Sequence, residues 1–255
     1  MNETKLIDIF SKTDKGLKRP NNEDEAAFLN KDGMKVLLVA DGMGGHQSGE
    51  VASRIAKETI MGILDISEVP TSLFKAKHLL KKAMKKANAL IHRLSSRKSE
   101  YYGMGTTAVM AIVLKENTII VNCGDSRGYA FYADERGLVS LTTDQTVVEY
   151  LYKLGAISKD EMKTSPKRHV LMNALGIAPT VEYDVKIIPN DYTALLVCSD
   201  GLTNMVEEKD IEKLLSSGLK EGLKAETIVS QLILAALNKG GIDNIGISLL
   251  EVKES

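Results

Sequence analysis

The sequence predicts an α+β chain, a four-layer α-β-β-α sandwich in which two mainly antiparallel sheets lie face to face and a helix pair covers each outer face. Three observations lead to it. Helical periodicity arrives as two consecutive pairs, one early and one late, instead of alternating with single strands. The strand-like runs between the pairs are joined by short polar turns with no room for a crossover helix, so neighbouring strands pair antiparallel. Several of these runs are apolar without alternation, which marks strands covered on both faces. A helix with one apolar stripe has to lay it on such a sheet. With 44% apolar and 26% charged residues, the 255-residue chain has ordinary globular composition. A sandwich of this length forms one domain over 1–255.

The elements follow in order. Short strands are expected at residues 6–10, 26–29 and 36–40. Ser48 can cap a helix from residue 49 to about 64, with Val51, Ile55, Thr59 and Ile60 on one side. A longer helix runs from Ser72 to about Arg97, where Leu73, Ala76, Leu80, Ala83, Ala87, Leu90 and Leu94 recur every three or four positions. Its other face carries Lys75, Lys77, Lys81, Lys82, Lys85 and Lys86. A solvated helix face is the plain reading of those lysines, and a docking surface for an acidic partner is the alternative. Between Thr106 and Leu141, turns at 115–117, 124–127 and 134–137 separate strands of an antiparallel meander. The stretch from Thr146 to Leu175 mixes weak helical patterns with Gly155, Pro166 and a run of charges, and reads as a surface flap subdomain. Strands at 181–188 and 193–198, helices at 208–215 and 224–238, and a last strand at 245–250 complete the pattern.

The formal net charge of -1 argues against a nucleic-acid-binding surface. Cys123 and Cys198 each lie inside an apolar run two residues before an Asp, which suggests buried reduced thiols and no disulfide framework. The first residues lack a basic region followed by an apolar stretch, and no segment reaches membrane-spanning length, so a cytoplasmic protein without a membrane anchor is expected. Oligomeric state is not written in the sequence; a monomer is the default.

Two of the apolar runs, 36–40 and 194–199, stop at the same pair of residues, Asp41-Gly42 and Asp200-Gly201. A third, 118–123, exits into Gly124-Asp125, and a fourth, 245–250, is entered through Asp243-Asn244. Four strand ends thus carry four aspartates. If those ends converge, the carboxylates repel one another in a partly dry site unless cations neutralise them, which points to hard divalent metal binding. The glycines of Asp41-Gly42-Met43-Gly44-Gly45 suit a backbone that turns sharply beside a metal. This stretch fails the dinucleotide-binding pattern, because Gln47 stands where a third glycine is needed, and no phosphate-binding loop ending in Gly-Lys-Ser/Thr occurs. A phosphotransfer Asp of the receiver or haloacid type stays open for the first strand end, although the haloacid pattern needs a second Asp where Met43 stands. Upstream, Arg19-Pro20-Asn21-Asn22-Glu23-Asp24 places a guanidinium and two carboxylates in a turn before a strand. The planar fork of Arg19 suits a phosphate, and Asp24 can meet a metal directly or through water. Alone, this segment reads as a charged turn with a surface ion pair.

Nine segments in order carry a resemblance: Arg19 to Asp24, Ala40-Asp41-Gly42-Met43-Gly44-Gly45-His46, Gly49-Glu50-Val51-Ala52-Ser53, Met104-Gly105-Thr106-Thr107, Cys123-Gly124-Asp125-Ser126-Arg127, Leu141-Thr142-Thr143-Asp144, Ala174-Leu175-Gly176, Ser199-Asp200-Gly201-Leu202 and Asp243-Asn244. Together they resemble the metal-dependent protein phosphatases, the type 2C serine/threonine phosphatases, in their bacterial form. The resemblance implies Asp41 as a carboxylate bridging two Mn²⁺ or Mg²⁺ ions, Asp200 and Asp243 as ligands of the first, and the Gly42 carbonyl as a ligand of the second. Asp125 with Asp200 matches a third metal site of bacterial members. Arg19 matches the phosphate-binding arginine, and Asp24 the acid that contacts metal-bound waters. Two ions sharing a water lower its pKa and stabilise in-line displacement at phosphorus without a phosphoenzyme. Oxygen ligands favour Mg²⁺ or Mn²⁺ over zinc, with Mn²⁺ the expected ion for activity in vitro.

The departures from the family pattern concern substrate fit more than metal chemistry. Met43 stands where many animal members have a histidine general acid, and Gln145 and Asn173 stand where many bacterial members have His and Arg. His46 is assigned a structural role at the start of the first helix. Thr106 and Thr107 read as packing residues, and His78, His92 and His169 as surface or core residues. The expected substrates are phosphoserine and phosphothreonine proteins made by a partner serine/threonine kinase. A binding module that has lost catalysis is the rival, and the intact aspartate set counts against it. A narrower job on one dedicated regulator, such as a phosphorylated anti-sigma-factor antagonist, keeps the same chemistry.

Overall fold

The computed structural model describes residues 6–44 and 48–253. In chain order the elements are β1 (Leu6–Asp14), β2 (Asp24–Lys31), β3 (Met34–Met43), α1 (Ser48–Ile66), α2 (Leu73–Arg97), β4 (Gly105–Thr106), β5 (Ala108–Val113), β6 (Asn117–Cys123), β7 (Arg127–Phe131) and β8 (Leu138–Ser140). They continue as α3 (Val147–Lys153), α4 (Lys159–Thr164), β9 (Asp184–Pro189), β10 (Ala194–Cys198), α5 (Asp200–Thr203), α6 (Glu208–Lys220), α7 (Ala225–Asn238) and β11 (Ile245–Lys253). One sheet has the order β1-β11-β10-β7-β8, the other β2-β3-β5-β6-β9 with β4 added beside β3. Every pairing is antiparallel.

The four layers can be read from alternate residues of the buried strands. On β3, Leu37 and Val39 enter the core between the sheets, while Val36, Leu38 and Ala40 face the α1–α2 layer. On β10, Leu195 and Val197 enter the same central core, while Ala194, Leu196 and Cys198 face α6 and α7. Strands packed on both sides lose the polar alternation of a one-sided sheet, so their sequences are apolar throughout. The two thiols follow this division: Cys123 belongs to one helix-side core and Cys198 to the other, and both are free. Burial pushes each thiol up to about 12.

Several expectations need correction. The expected meander is split, because β6 lies between β5 and β9 in one sheet while β7 lies between β10 and β8 in the other. The Gly124–Ser126 turn therefore crosses between sheets. Gly124 makes that possible with a φ of 107°, and a side chain there would run into Thr107. β3 does not stop at Asp41 but continues to Met43, since β2 pairs beside Asp41 and β4 beside Gly42 and Met43. Ser48 is the first residue of α1 itself, where its hydroxyl donates to the Glu100 carbonyl at 2.9 Å. The deepest face of α1 is Ala52, Ala56, Ile60 and Leu64; Val51 and Ile55 pack at its margin. The short helix α5 follows directly after β10, where only a strand end was expected. Residues 146–175 hold α3, capped by Thr146, and α4, closed by a reciprocal Ser158–Glu161 capping box. No helix among the described residues is long and apolar enough to cross a membrane.

Candidate active site

The end of β3, the β6–β7 crossing, the start of α5 and the loop before β11 meet at one end of the sandwich. They surround a cavity of about 440 Å³ lined by Arg19, Asp41, Gly42, Asp125, Asp200 and Asp243, among others. Six of the seven residues selected from sequence therefore share one cleft. The seventh, Asp24, lies buried beside it, opposite Asp41 in the β2–β3 register.

Backbone contacts hold each position. The Asp41 N–H donates to Thr107 Oγ1 at 3.0 Å, and its carbonyl accepts from the Thr107 N–H at 2.8 Å and Thr106 Oγ1 at 2.9 Å. Thr107 Oγ1 also shares a 2.7 Å hydrogen bond with Ser126, next to Asp125. The two threonines are buried, as expected of packing residues, but they also clamp Asp41 and tie it to the Asp125 turn. Both Asp-Gly pairs have one steric cause. A Cβ on Gly42 would collide with the Gly49 carbonyl, and one on Gly201 with the Asn244 carbonyl. Asn244 is a second clamp: Oδ1 accepts from the Glu23 N–H at 2.9 Å, and Nδ2 donates to the Lys15 and Asn21 carbonyls at 2.8 Å each. It thereby fastens the loop that carries Arg19 to the start of β11.

The electrostatics are those of crowded acids. Burial, reinforced by Asp200 and Asp243, pushes Asp24 up to about 8. Burial and the carboxylates of Asp24, Asp200, Asp125 and Asp243 hold Asp41 well above the carboxylate range. Burial and then Asp200 push Asp125 up to about 7. Asp24 accepts from Ser199 Oγ at 2.6 Å through Oδ2, while Oδ1 and the neighbouring Glu23 Oε1 are buried without a hydrogen-bond partner. Unsatisfied acceptors and mutually repelling carboxylates are what a hard cation relieves, and an all-oxygen donor set selects Mg²⁺ or Mn²⁺. Among the described residues no three such side chains already stand as a closed ligand set. Asp243 is turned to Arg19 Nη2 at 2.7 Å, and Asp200 to Asn204 Nδ2 at 3.0 Å. Cations that keep several waters need only one or two direct carboxylates, so an open arrangement suits them.

Three residues of the cleft escaped the sequence reading. His169, set aside for want of a partner, stands in the cavity with Nδ1 3.7 Å from Asp200 Oδ2, and that carboxylate raises its pKa. Only the fold of the flap brings it there. Glu23 and Asn244 were visible as neighbours of Asp24 and Asp243, but their contacts cross more than 200 residues of chain. The other histidines of the reading differ: His92 Nδ1 lies 3.0 Å from the Gly176 carbonyl, His78 is exposed, and His46 falls outside the described residues.

Two departures prove to be joined. Gln145 Oε1 accepts from the Gly124 N–H at 2.9 Å and Asn173 Nδ2 at 2.8 Å, while Nε2 donates to Asp184 at 2.9 Å. The pair thus links the Asp125 turn, the flap end and β9. Behind the same turn, Arg127 holds Asp144 through two hydrogen bonds of 2.9 and 2.7 Å, a bidentate pair that fixes β7 against the segment leading to the flap.

The sequence profile described as protein phosphatase 2C matches residues 18–235. The chain is 38% identical over 245 residues to the serine/threonine phosphatase stp of Listeria welshimeri, covering 94% of each. It superposes on the serine/threonine phosphatase Stp1 of Staphylococcus aureus with a TM-score of 0.88 at 31% identity, covering 98% of this chain and 96% of that one. It also superposes on the catalytic domain of the phosphatase PstP, whose structure contains two manganese ions, with a TM-score of 0.83 at 29% identity, covering 98% and 100%. With the acidic cleft, the two-sheet sandwich and a profile match over most of its length, the chain belongs to the protein phosphatase 2C family.

Proposed function

We propose that this chain, a metal-dependent serine/threonine protein phosphatase of the bacterial 2C type, hydrolyses phosphoserine and phosphothreonine on proteins in the cleft bounded by Arg19, Asp41 and Asp200. Asp41 would hold both of two divalent ions, Asp200 and Asp243 would hold the first, the Gly42 carbonyl would hold the second, and Asp24 would act on them through water. Asp125 with Asp200 offers a third position. The observation that carries this reading is the convergence of carboxylates whose burial and mutual repulsion call for cations. When bound, such ions acidify water and neutralise the charge that builds up on phosphate. The manganese pair in the PstP structure supports Mn²⁺ as the ion here.

The protein's own groups do the rest. Arg19 uses only Nη2 on Asp243, so its remaining donors are without protein partners among the described residues and can take two phosphate oxygens. No covalent thiol intermediate is available, since both cysteines are buried and held protonated. Met43 lines the cleft without a titratable group and gives the leaving alcohol no proton, which leaves water, or His169 in the same cleft, to supply it. The whole chain acts as one unit with residues 146–175 as a flap that sets substrate fit, and it opposes a serine/threonine kinase acting on cytoplasmic proteins.

The direct test is phosphate release from a phosphothreonine peptide by chelator-stripped protein. Adding Mn²⁺ should restore turnover, Mg²⁺ less and Zn²⁺ little; silence of folded protein with every metal sinks the reading. A second expectation concerns Gln145. Gln145→Ala removes the side-chain link between the Asp125 turn and the flap, and should lower kcat/KM on a phosphoprotein about tenfold, roughly 1.4 kcal/mol, as for one half-buried hydrogen-bonding group. Steady-state kinetics with Gln145→Ala and Gln145→His decides it: unchanged kcat/KM in the alanine variant means the network is incidental.

A further inference from the structure

The helix α2 is electrically unlike the rest of the molecule. It carries eight of the chain's 33 basic residues and none of its 34 acidic ones, so the rest of the chain, with 25 basic residues, is net -9. Lys77, Lys81 and Lys85 stand four residues apart on one side of the helix, all exposed, and among the described residues none of the three forms an ion pair or hydrogen bond. Like charges at this spacing destabilise a helix unless a counter-charge arrives.

The direction of this row ties it to the active site. One turn further on, the same side of α2 carries Asn88 and His92, which hold the segment leaving the flap. Asn88 Oδ1 accepts from the Gly176 N–H at 2.7 Å, Asn88 Nδ2 donates to the Ala178 and Pro179 carbonyls, and His92 sits on the Gly176 carbonyl. Lys81 itself lines a cavity of about 710 Å³ together with Gln145, Lys153 and Asn173 of the flap region, whose far wall carries Glu149, Glu182 and Asp184, so the basic surface is the helix row and not the cavity floor. The lysine row is therefore an extension of the flap face.

We propose that Lys77, Lys81 and Lys85 form a docking site for acidic side chains flanking the phosphorylated residue of a protein substrate. The assignment rests on the phosphatase reading and adds a substrate preference to it. Charge complementarity argues for an acidic polypeptide: among the described residues the row offers three unpaired cations, which attract carboxylates and repel a basic segment at this face of the helix. The cations act by attraction at the rim, and so the effect is sensitive to salt.

The test uses the full chain and two phosphothreonine peptides of equal length, one flanked by Asp and Glu, the other by Asn and Gln. Their unphosphorylated fluorescent forms report docking by anisotropy without any turnover. Wild type should bind the acidic peptide about tenfold more tightly at low salt, a preference that fades at 0.5 M salt. The triple variant Lys77→Gln, Lys81→Gln and Lys85→Gln should lose that preference, and its Mn²⁺-dependent turnover of p-nitrophenyl phosphate should match wild type. Equal binding of the two peptides by wild type, or a preference that survives in the triple variant, overturns the proposal. So does salt-sensitive binding to phosphatidylserine vesicles, lost in the variant, with no peptide preference, since it assigns the row to a membrane surface. Failure of p-nitrophenyl phosphate turnover in wild type would mark failure of the phosphatase reading, while the anisotropy result still decides the docking site.

Discussion

Replacing Asp41 with Asn should reduce Mn²⁺-dependent phosphate release by at least about a thousandfold, some 4 kcal/mol of transition-state stabilisation. The substitution keeps shape and removes charge. What holds position 41 in place is backbone: its N–H on Thr107, its carbonyl on Thr106 and Thr107, and its register opposite Asp24. The side chain itself meets Asp24 in a hydrogen bond that an Asn amide can also make, so the variant should fold. Chelator-treated Asp41→Asn should melt no lower than chelator-treated wild type, because one of several mutually repelling carboxylates is gone. The two proteins should part when metal is added. Mn²⁺ at about a hundred times its Kd should stabilise wild type by about 2.7 kcal/mol and leave the variant nearly unchanged. Turnover in the variant above a few per cent of wild type, or an equal Mn²⁺ shift in its melting temperature, would remove Asp41 from the centre of the site.

Gly201→Ala is the largest effect expected from a change that touches no charge. Gly201 is buried in the first turn of α5, and a methyl group there points into the backbone carbonyl of Asn244. The neighbour cannot swing away. Asn244 is held by its own side chain to Glu23, Lys15 and Asn21, and the Gly246 N–H is bonded to Ser199 Oγ. Overpacking against fixed backbone should cost about 2–3 kcal/mol, a fall in Tm of roughly 5–10 °C. Activity should fall further than stability, because the displaced segment carries Asp243 on one side and Asp200 on the other. Gly62→Ala is the matched control: it lies inside α1 with open space around it, and should be neutral or stabilising by about 0.5–1 kcal/mol. Equal melting temperatures for Gly201→Ala and Gly62→Ala would show that the close approach at Asn244 is relaxed in solution.

The two Asp-Gly pairs illustrate how much was legible. Their position at the ends of apolar runs marked them as strand exits, and the acidity marked a cation site. The reason for each glycine was not legible, since it is the backbone of a segment far away in sequence, Gly49 for Gly42 and Asn244 for Gly201. The lysines of α2 show the same limit from the other side. Their helical spacing was plain, but only the bonds from Asn88 and His92 to residues 176–179 reveal that one row of them faces the flap.

Most element types, the four layers and the residues with the right chemistry were legible in the chain, because these depend on periodicity and residue identity within a few turns or strand repeats; the four-residue α5 is too short to show a period. The sequence by itself also determined that the carboxylates would need cations if they met. Tertiary structure alone decided that they do meet, that β6 and β7 part company into different sheets, and that the flap carries His169 to Asp200. Those outcomes depend on which distant backbones pack against one another, and long-range packing leaves no local period in the chain.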